Sequence, residues 1–138
     1  MSKLVRLSVS LEKELFAQLK ALAGASGYAN RSEFIRDLVR NQLVRKEWRK
    51  NREVLGTLTI LYDHDAYRLC EKLVDLQHSH RGTVLGSLHF HVGEHRCAEV
   101  VVMRGRAGDV NAVADGIRSQ RGVLHAALSM SSTGRLLT

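Results

Sequence analysis

The sequence predicts an α+β protein in two parts, a βαα segment followed by a βαββαβ domain. Apolar residues alternate with polar ones near the N-terminus, and later stretches repeat apolar residues at helical spacing. Charge also divides the chain, because residues 1–50 hold 11 Lys and Arg against 5 Asp and Glu, whereas residues 51–138 hold 10 against 9. We therefore predict domains at 1–50 and 51–138, and we expect only the first to contact a polyanion.

Composition excludes several classes of protein. No apolar stretch reaches the roughly 18 residues that a membrane-spanning helix needs, and the polar N-terminus lacks the apolar core of a signal peptide. Two cysteines are too few for a disulfide framework. We expect a cytoplasmic protein with reduced thiols.

The first element is a half-buried strand over Lys3–Leu11. Its apolar face carries Val5, Leu7, Val9 and Leu11. Its polar face carries Arg6, Ser8 and Ser10. Residues i and i+2 of a strand share a face, so this alternation predicts one buried and one exposed side.

Two helices follow this strand. Ser10 is a candidate N-cap for the first, which Gly24 and Gly27 end. Asn30 and Glu33 resemble a capping box at the start of the second, amphipathic helix. A charge run from Lys46 to Arg52, which contains Trp48, is typical of a solvated linker or helix end.

A strand and two helices over about 50 residues leave an unpaired edge and a small core, so we expect pairing with an identical chain. On the runs Val5–Ser10 and Gly27–Leu38, this segment resembles the ribbon-helix-helix DNA-binding family. The resemblance implies an intertwined dimer whose two-stranded ribbon enters the major groove of a double-stranded DNA operator. The alternative is a plain dimerisation strand with solvent-facing polar residues.

The resemblance also assigns candidate DNA contacts. The base readers are Arg6, Ser8 and Ser10, because Arg binds guanine bidentately and a hydroxyl serves several bases. The phosphate contacts are Asn30, Arg31 and Ser32, at the start of the second helix.

The remaining chain alternates strand and helix patterns. Strands are predicted at Gly56–Tyr62, Val84–Val92, Cys97–Arg104 and Val123–Met130. Helices are marked by Ala66–Leu76 and Val110–Ile117, and a loop is predicted at Gly105–Gly108. The resulting βαββαβ order is a ferredoxin-like arrangement, which by itself proves no function.

A candidate metal site lies in the middle of this domain. His89 and His91 are two residues apart on a predicted strand, so their side chains share a face, about 6–7 Å apart at the backbone. Cys97 begins the return strand after a turn at residues 93–96. Imidazole and thiolate suit zinc, copper or nickel, and a fourth ligand is missing. Alternatively, the histidines are ordinary exposed strand residues and Cys97 is a small buried hydrophobe.

The two parts together resemble the NikR family of nickel-responsive transcriptional regulators, with an ACT-like C-terminal domain. The supporting motifs are Tyr62–Asp65, Leu76–His78 and Gly108–Val110. The resemblance implies one square-planar Ni(2+) per subunit, a homotetramer built as a dimer of dimers, and repression of nickel uptake genes. The implied ligands are His89, His91 and Cys97 of one subunit and His78 of a neighbour.

Several assignments have alternatives. His80 competes with His78 as the donated ligand, and Glu33 with Asp37 forms either a second cation site or a pair that balances nearby arginines. The other histidines are interpreted structurally, His64 as a cap or interface residue, His95 as an exposed turn residue and His125 as a strand residue. Tyr62, Gln77 and Glu99 are interpreted as groups that orient the metal-bound imidazoles.

Two rival functions are weighed against nickel sensing. In one, the C-terminal domain of a DNA-binding regulator senses an amino acid through a loop at Gly105–Asp109. In the other, the chain is an enzyme such as a metal-dependent hydrolase, which needs an open coordination position and a general base. No convincing base accompanies the histidine pair, so we expect no enzyme.

Overall fold

A computed structural model describes residues 3–138, so the first two residues of the predicted 1–50 domain lie outside the described residues. The helices are α1 (Lys13–Ala25), α2 (Arg31–Arg49), α3 (Leu69–Ser79) and α4 (Ala107–Arg118). The strands are β1 (Glu53–Asp63), β2 (Val84–His91), β3 (Arg96–Arg106) and β4 (Val123–Ser132). This order confirms the α+β class and the βαββαβ arrangement. Within this range no helix is long and apolar enough to cross a membrane.

The chain forms two compact units. One unit runs up to Leu43 and includes Leu136–Thr138, and the other is Val44–Arg135. The second unit holds the whole sheet and the last turns of α2.

In the first unit, side chains define the connection between α1 and α2. The Glu33 backbone N–H donates to Asn30 Oδ1 at 2.9 Å, which confirms Asn30 as the cap of α2. Tyr28 packs edge-on against Phe34, with ring centroids 5.2 Å apart. The predicted Ser10 cap is wrong, because Glu12 precedes α1 and no side chain caps that helix.

The predicted strand over Lys3–Leu11 does not form within a single chain. Residues 3–11 have no regular secondary structure and lie outside the sheet, and Val5 remains 90% exposed. A β-strand is defined by hydrogen bonds to a neighbouring strand. The prediction took that neighbour from an identical second chain, and residues 3–138 of one chain offer none.

The sheet of the second unit has the order β2-β3-β1-β4, and all neighbouring strands are antiparallel. Alternate residues of β1 and β3 face the helices. Among them, Leu58 of β1 lies opposite Val101 on β3 and opposite Leu128 on β4. The completely buried residues of α4 complete this core. They are Ala107, Val110, Val113, Ala114 and Ile117. The central strands therefore have one face fixed against helices, which sets the direction of every side chain along them.

The predicted loop at Gly105–Gly108 is wrong, because β3 continues to Arg106 and α4 starts at the next residue. Residues just before β1 supply hydrogen-bond acceptors to the first backbone N–H groups of α4. The Ala107 N–H donates to the Arg52 carbonyl at 3.0 Å, and the Gly108 N–H donates to Asn51 Oδ1 at 2.7 Å. These bonds satisfy N–H groups that a helix start otherwise leaves unpaired.

The run Lys46–Arg52 contains the end of α2 at Arg49, as the helix-end interpretation predicts, but Trp48 itself belongs to the core rather than to a solvated segment. Its indole N–H donates to the Ser131 carbonyl at 2.8 Å, and the residue is 8% exposed. A Cβ on Gly56 would approach the Trp48 ring to 3.1 Å. Lys46 and Arg49 are exposed, whereas Glu47 is buried together with Trp48, so this part of the helix contributes to the core.

Gly122 packs closely against the loop that follows β1. Its φ is +99°, and its carbonyl accepts the Asp63 N–H at 2.9 Å. A Cβ there would lie 2.5 Å from Ala66 Cβ and 2.9 Å from Leu69 Cδ2. Only glycine satisfies both the backbone conformation and the space.

We predict that Gly122→Ala lowers the free energy of unfolding by about 3 kcal/mol or more, because left-handed strain and a steric clash add together. The matched control is Gly134→Ala, at φ +83° with no atom within 4 Å, which should cost only about 1 kcal/mol. Denaturant unfolding measures both, and equal losses would contradict the role of close packing at Gly122.

Candidate metal centre

The β2–β3 ladder brings the predicted ligands to one face of the sheet. His91 lies opposite Cys97 and His89 lies opposite Glu99, on the side where Cys97 and Glu99 are buried. The His89 and His91 ring centroids are 5.2 Å apart. The two imidazoles stand side by side, as the i, i+2 spacing predicts.

Cys97 lies at the base of the site and is completely buried. Its Sγ lies 3.5 Å from His91 Nδ1. Burial raises the pKa of the Cys97 thiol, so the group stays protonated until an ion displaces the proton.

His64 joins this cluster, with its Nδ1 3.3 Å from Cys97 Sγ. One ligand atom from each of His64, His91 and Cys97 lies within 4.8 Å of the other two. Sequence reasoning missed His64 as a candidate ligand. The signal was the sheet register, because β1 pairs with β3 and Tyr62 lies opposite Cys97, so the residues just after β1 reach the start of β3.

His89 has a different partner from His91. Its Nδ1 is hydrogen-bonded to the Tyr62 hydroxyl at 3.0 Å. Burial, with Cys70 next in importance, raises the pKa of Tyr62, so the hydroxyl keeps its proton at neutral pH. The bond fixes the imidazole orientation through Nδ1, which makes Nε2 the nitrogen that can bind an ion.

His78 and His80 lie outside the cluster. His78 is exposed in the last turn of α3, and the preceding Gln77 donates from Nε2 to Glu99 Oε1 at 2.9 Å. His80 is half-buried, and its Nδ1 donates to the Leu76 carbonyl at 2.8 Å. Of the four predicted ligands, one chain therefore places His91 and Cys97 in the cluster, with His89 beside His91 but outside it, and Gln77 ties α3 to the same face.

The other two histidines lie away from the ligand atoms. His95 is exposed in the hairpin turn, as the sequence predicts, and its Nδ1 donates to Asp65 Oδ2 at 2.5 Å. His125 is exposed on β4 opposite Leu61. Leu61 alternates with the buried residues of β1, so His125 points to the sheet face opposite the cluster.

The predicted DNA contacts are accessible in the first unit. Arg6, Ser8 and Ser10 are all exposed. Arg31 and Ser32 are exposed in the first turn of α2, and the Arg31 guanidinium lies 5.3 Å from the Phe16 ring centroid. Asn30 uses its side-chain oxygen to cap α2, which leaves its amide nitrogen for other contacts.

Glu33 and Asp37 already have polar partners. Glu33 pairs with Arg36, and Asp37 pairs with Arg40 at 3.0 Å. The Tyr28 hydroxyl donates to Asp37 Oδ2 at 2.5 Å. This arrangement agrees with the interpretation that these acids balance nearby arginines.

Comparison with known proteins identifies both parts of the chain. Residues 55–131 match the family described as the NikR C-terminal nickel-binding domain. Residues 5–46 match the ribbon-helix-helix proteins of the copG family.

Whole-chain relatives agree with these matches. A Pyrococcus furiosus protein named as a nickel-responsive regulator is 45% identical over 133 residues, covering 96% of each chain. A Nitratidesulfovibrio vulgaris protein with the same name is 43% identical over 139 residues and covers 100% of both. An uncharacterized Thermotoga maritima protein of known structure has a TM-score of 0.51 at 16% identity, covers 57% of this chain and 98% of its own, and supports the fold alone.

A ribbon-helix-helix segment joined to a nickel-binding domain defines a DNA-binding transcriptional regulator rather than an enzyme. The chain belongs to the NikR family.

Asp37 gives a prediction about pH. The hydrogen bond from Tyr28, followed by that from Arg40, lowers the pKa of Asp37 below the ordinary value of 3.8. The folded-state pKa lies below the unfolded one, so the stabilisation is present above about pH 4 and is lost as the pH falls through the folded-state pKa. We predict that Tyr28→Phe raises the Asp37 pKa and makes acid unfolding less steep. NMR titration of the side-chain carboxyl carbons measures the first effect, and an unchanged Asp37 pKa in Tyr28→Phe would contradict it.

Proposed function

We propose that the chain represses nickel uptake genes when Ni(II) is bound, as a cytoplasmic homotetramer with one ion per subunit. The observation that carries the proposal is the group of His89, His91 and Cys97 on one sheet face, within a domain that matches the NikR nickel-binding family. The relatives named as nickel-responsive regulators support the same signal.

The ligand chemistry favours a planar ion. Three imidazole nitrogens and one thiolate suit square-planar Ni(II) or Cu(II), whereas structural zinc prefers a tetrahedron. Because Cu(II) binds most nitrogen and sulfur sites more tightly than Ni(II), selectivity depends on geometry and on which ions are available. The Tyr62 bond to His89 contributes to that geometry by fixing one ring.

We propose His78 of a neighbouring subunit as the fourth ligand. His78 is exposed at the end of α3, whereas His80 is half-buried and already bonds the Leu76 carbonyl. The Gln77–Glu99 bond joins the segment around His78 to β3, two residues after Cys97. An ion completed across an interface stabilises the assembly that supplies both sets of ligands.

Two apolar surfaces support a dimer of dimers. In the first unit, exposed apolar side chains lie on both helices. They are Leu15, Leu22, Ile35, Leu38 and Val39. In the second unit, Leu88 and Phe90 are exposed on the sheet face away from α3 and α4, opposite Val100 and Ala98. Exposed apolar patches on separate units fit two different interfaces between copies of the chain.

The ribbon would read DNA through Arg6, Ser8 and Ser10, with Asn30, Arg31 and Ser32 at phosphates. Nickel activates DNA binding only if it binds the DNA-competent arrangement more tightly than the others. A shift from mostly inactive to mostly active needs about 5.5 kcal/mol of such preference.

A second cation site at Glu33 and Asp37 would require Arg36 and Arg40 to leave these carboxylates. The amino-acid-sensing alternative loses its ligand loop, since Gly105 and Arg106 are strand residues and Asn51 occupies the Gly108 N–H.

We predict that Ni(II) strengthens operator binding of the native chain at fixed salt and has no effect on Cys97→Ala, which removes the thiolate. The control is His125→Ala, because His125 lies on the opposite sheet face and should leave the nickel response intact. Fluorescence anisotropy with labelled operator DNA measures each affinity. A native chain that binds operator equally with and without nickel would refute nickel control of DNA binding.

We predict that Arg6→Ala reduces discrimination between operator and random DNA by about 1–3 kcal/mol, the value of one bidentate base contact. Nickel affinity should be unchanged, because Arg6 lies in the first unit. The control is Arg81→Ala, an exposed arginine of the second unit. Equal losses of operator affinity and nickel affinity in Arg6→Ala would contradict this separation of roles.

A further inference from the structure

Three ligand atoms meet within a single chain without His78 or a second subunit. His64, His91 and Cys97, called here the His64 cluster, contribute them, all within 4.8 Å of one another. Cys97 is buried at the base, whereas both imidazoles are exposed. A fourth ligand can therefore enter from solvent on the side of the imidazoles.

Several bonds hold His64 beside Cys97. The His64 N–H donates to the His95 carbonyl at 2.8 Å, and His95 Nδ1 donates to the adjacent Asp65 carboxylate at 2.5 Å. Immediately before His64, at the end of β1, the Asp63 N–H donates to the Gly122 carbonyl at 2.9 Å. The loop after β1 is thus attached to the β2–β3 turn, so the position of His64 follows from the fold.

His89 belongs to a different local arrangement. It is bonded to Tyr62, whereas His64 contacts Cys97 directly. His64 and His91 also pack edge-on, with ring centroids 5.6 Å apart. The pair His91 and Cys97 can therefore be completed in two ways, by His89 on the same strand or by His64 from the loop.

We propose that the His64 cluster is a second coordination site that takes a tetrahedral ion such as Zn(II) within one subunit, with a solvent molecule as fourth ligand. It shares His91 and Cys97 with the proposed nickel site, so the two ions exclude each other; this competition rests on the proposed function. Two nitrogens and one sulfur suit Zn(II), which has no electronic preference for a plane.

The two sites differ in what they require. The planar site needs His78 from a neighbour, whereas the His64 cluster is complete without one. Zn(II) in the cluster therefore occupies two nickel ligands without joining subunits through His78. The protein then discriminates between ions by the third ligand, which is His89 or His64, after His91 and Cys97 have bound.

The test compares His64→Asn with His89→Asn in the full-length chain, with His125→Asn as control because His125 lies on the opposite sheet face. Zn(II) and Ni(II) affinities are measured separately by competition with a chromophoric chelator. Removal of His64 should weaken Zn(II) binding at least about 10-fold and leave Ni(II) binding unchanged. Removal of His89 should do the reverse, and the control should change neither affinity.

Co(II) reports the geometry directly. The native chain should give the intense visible absorption of tetrahedral Co(II) together with sulfur-to-metal charge transfer, and His64→Asn should lose the tetrahedral bands. His64→Gln provides a second variant with a longer polar side chain and should behave in the same way.

Unchanged Zn(II) affinity in both His64 variants would overturn the proposal, as would a Zn(II) loss in His78→Asn equal to that in His64→Asn. Nickel control is judged independently by the operator-binding response to Ni(II). If that response is absent while the His64 variants still lose Zn(II), the nickel function fails and the zinc site stands.

Discussion

The antiparallel register between β1 and β3 is the constraint on which the site depends. It places Tyr62 opposite Cys97 and Ile60 opposite Glu99, on the two central strands of the sheet, where one face is fixed against helices. A slip of one residue would turn every one of these side chains to the other face. The β2–β3 ladder then places His89 and His91 of β2 on the same sheet face as Cys97 and Glu99 of β3. The ligand geometry is therefore a consequence of how the core packs.

The polar groups of the site are arranged in layers outward from that core. Tyr62, Cys97 and Glu99 are the buried members, and each contacts a group outside its own element. The Glu99 bond to Gln77 connects α3 to β3, while the Tyr62 bond connects β1 to His89 on β2. Because each hydrogen bond joins two elements, a change at the ligands alters the contacts of both the sheet and the end of α3.

Local spacing could predict part of the site, because the i, i+2 rule places His89 beside His91 and a turn returns the chain at Cys97. It could not identify His64, whose approach to Cys97 depends on a register between residues more than thirty positions apart. The domain order was predictable from periodicity. The burial of Trp48 was not predictable, because the charged residues around it in the sequence indicate an exposed segment. The strand at Lys3–Leu11 requires a partner that a single chain does not contain, so its sequence pattern describes the assembled protein.

The exposed apolar face of the sheet has a consequence for how stable the molecule is. Leu88 is 62% exposed and Phe90 is 52% exposed, on an edge strand whose outer backbone groups have no ladder partner among the described residues. In the proposed tetramer another copy would cover this face, so mass action would make the stability depend on chain concentration. A newly made chain at low abundance would therefore spend time as an association-prone monomer. In that assembly, the amount of protein in the cell would influence its survival as well as its occupancy of DNA.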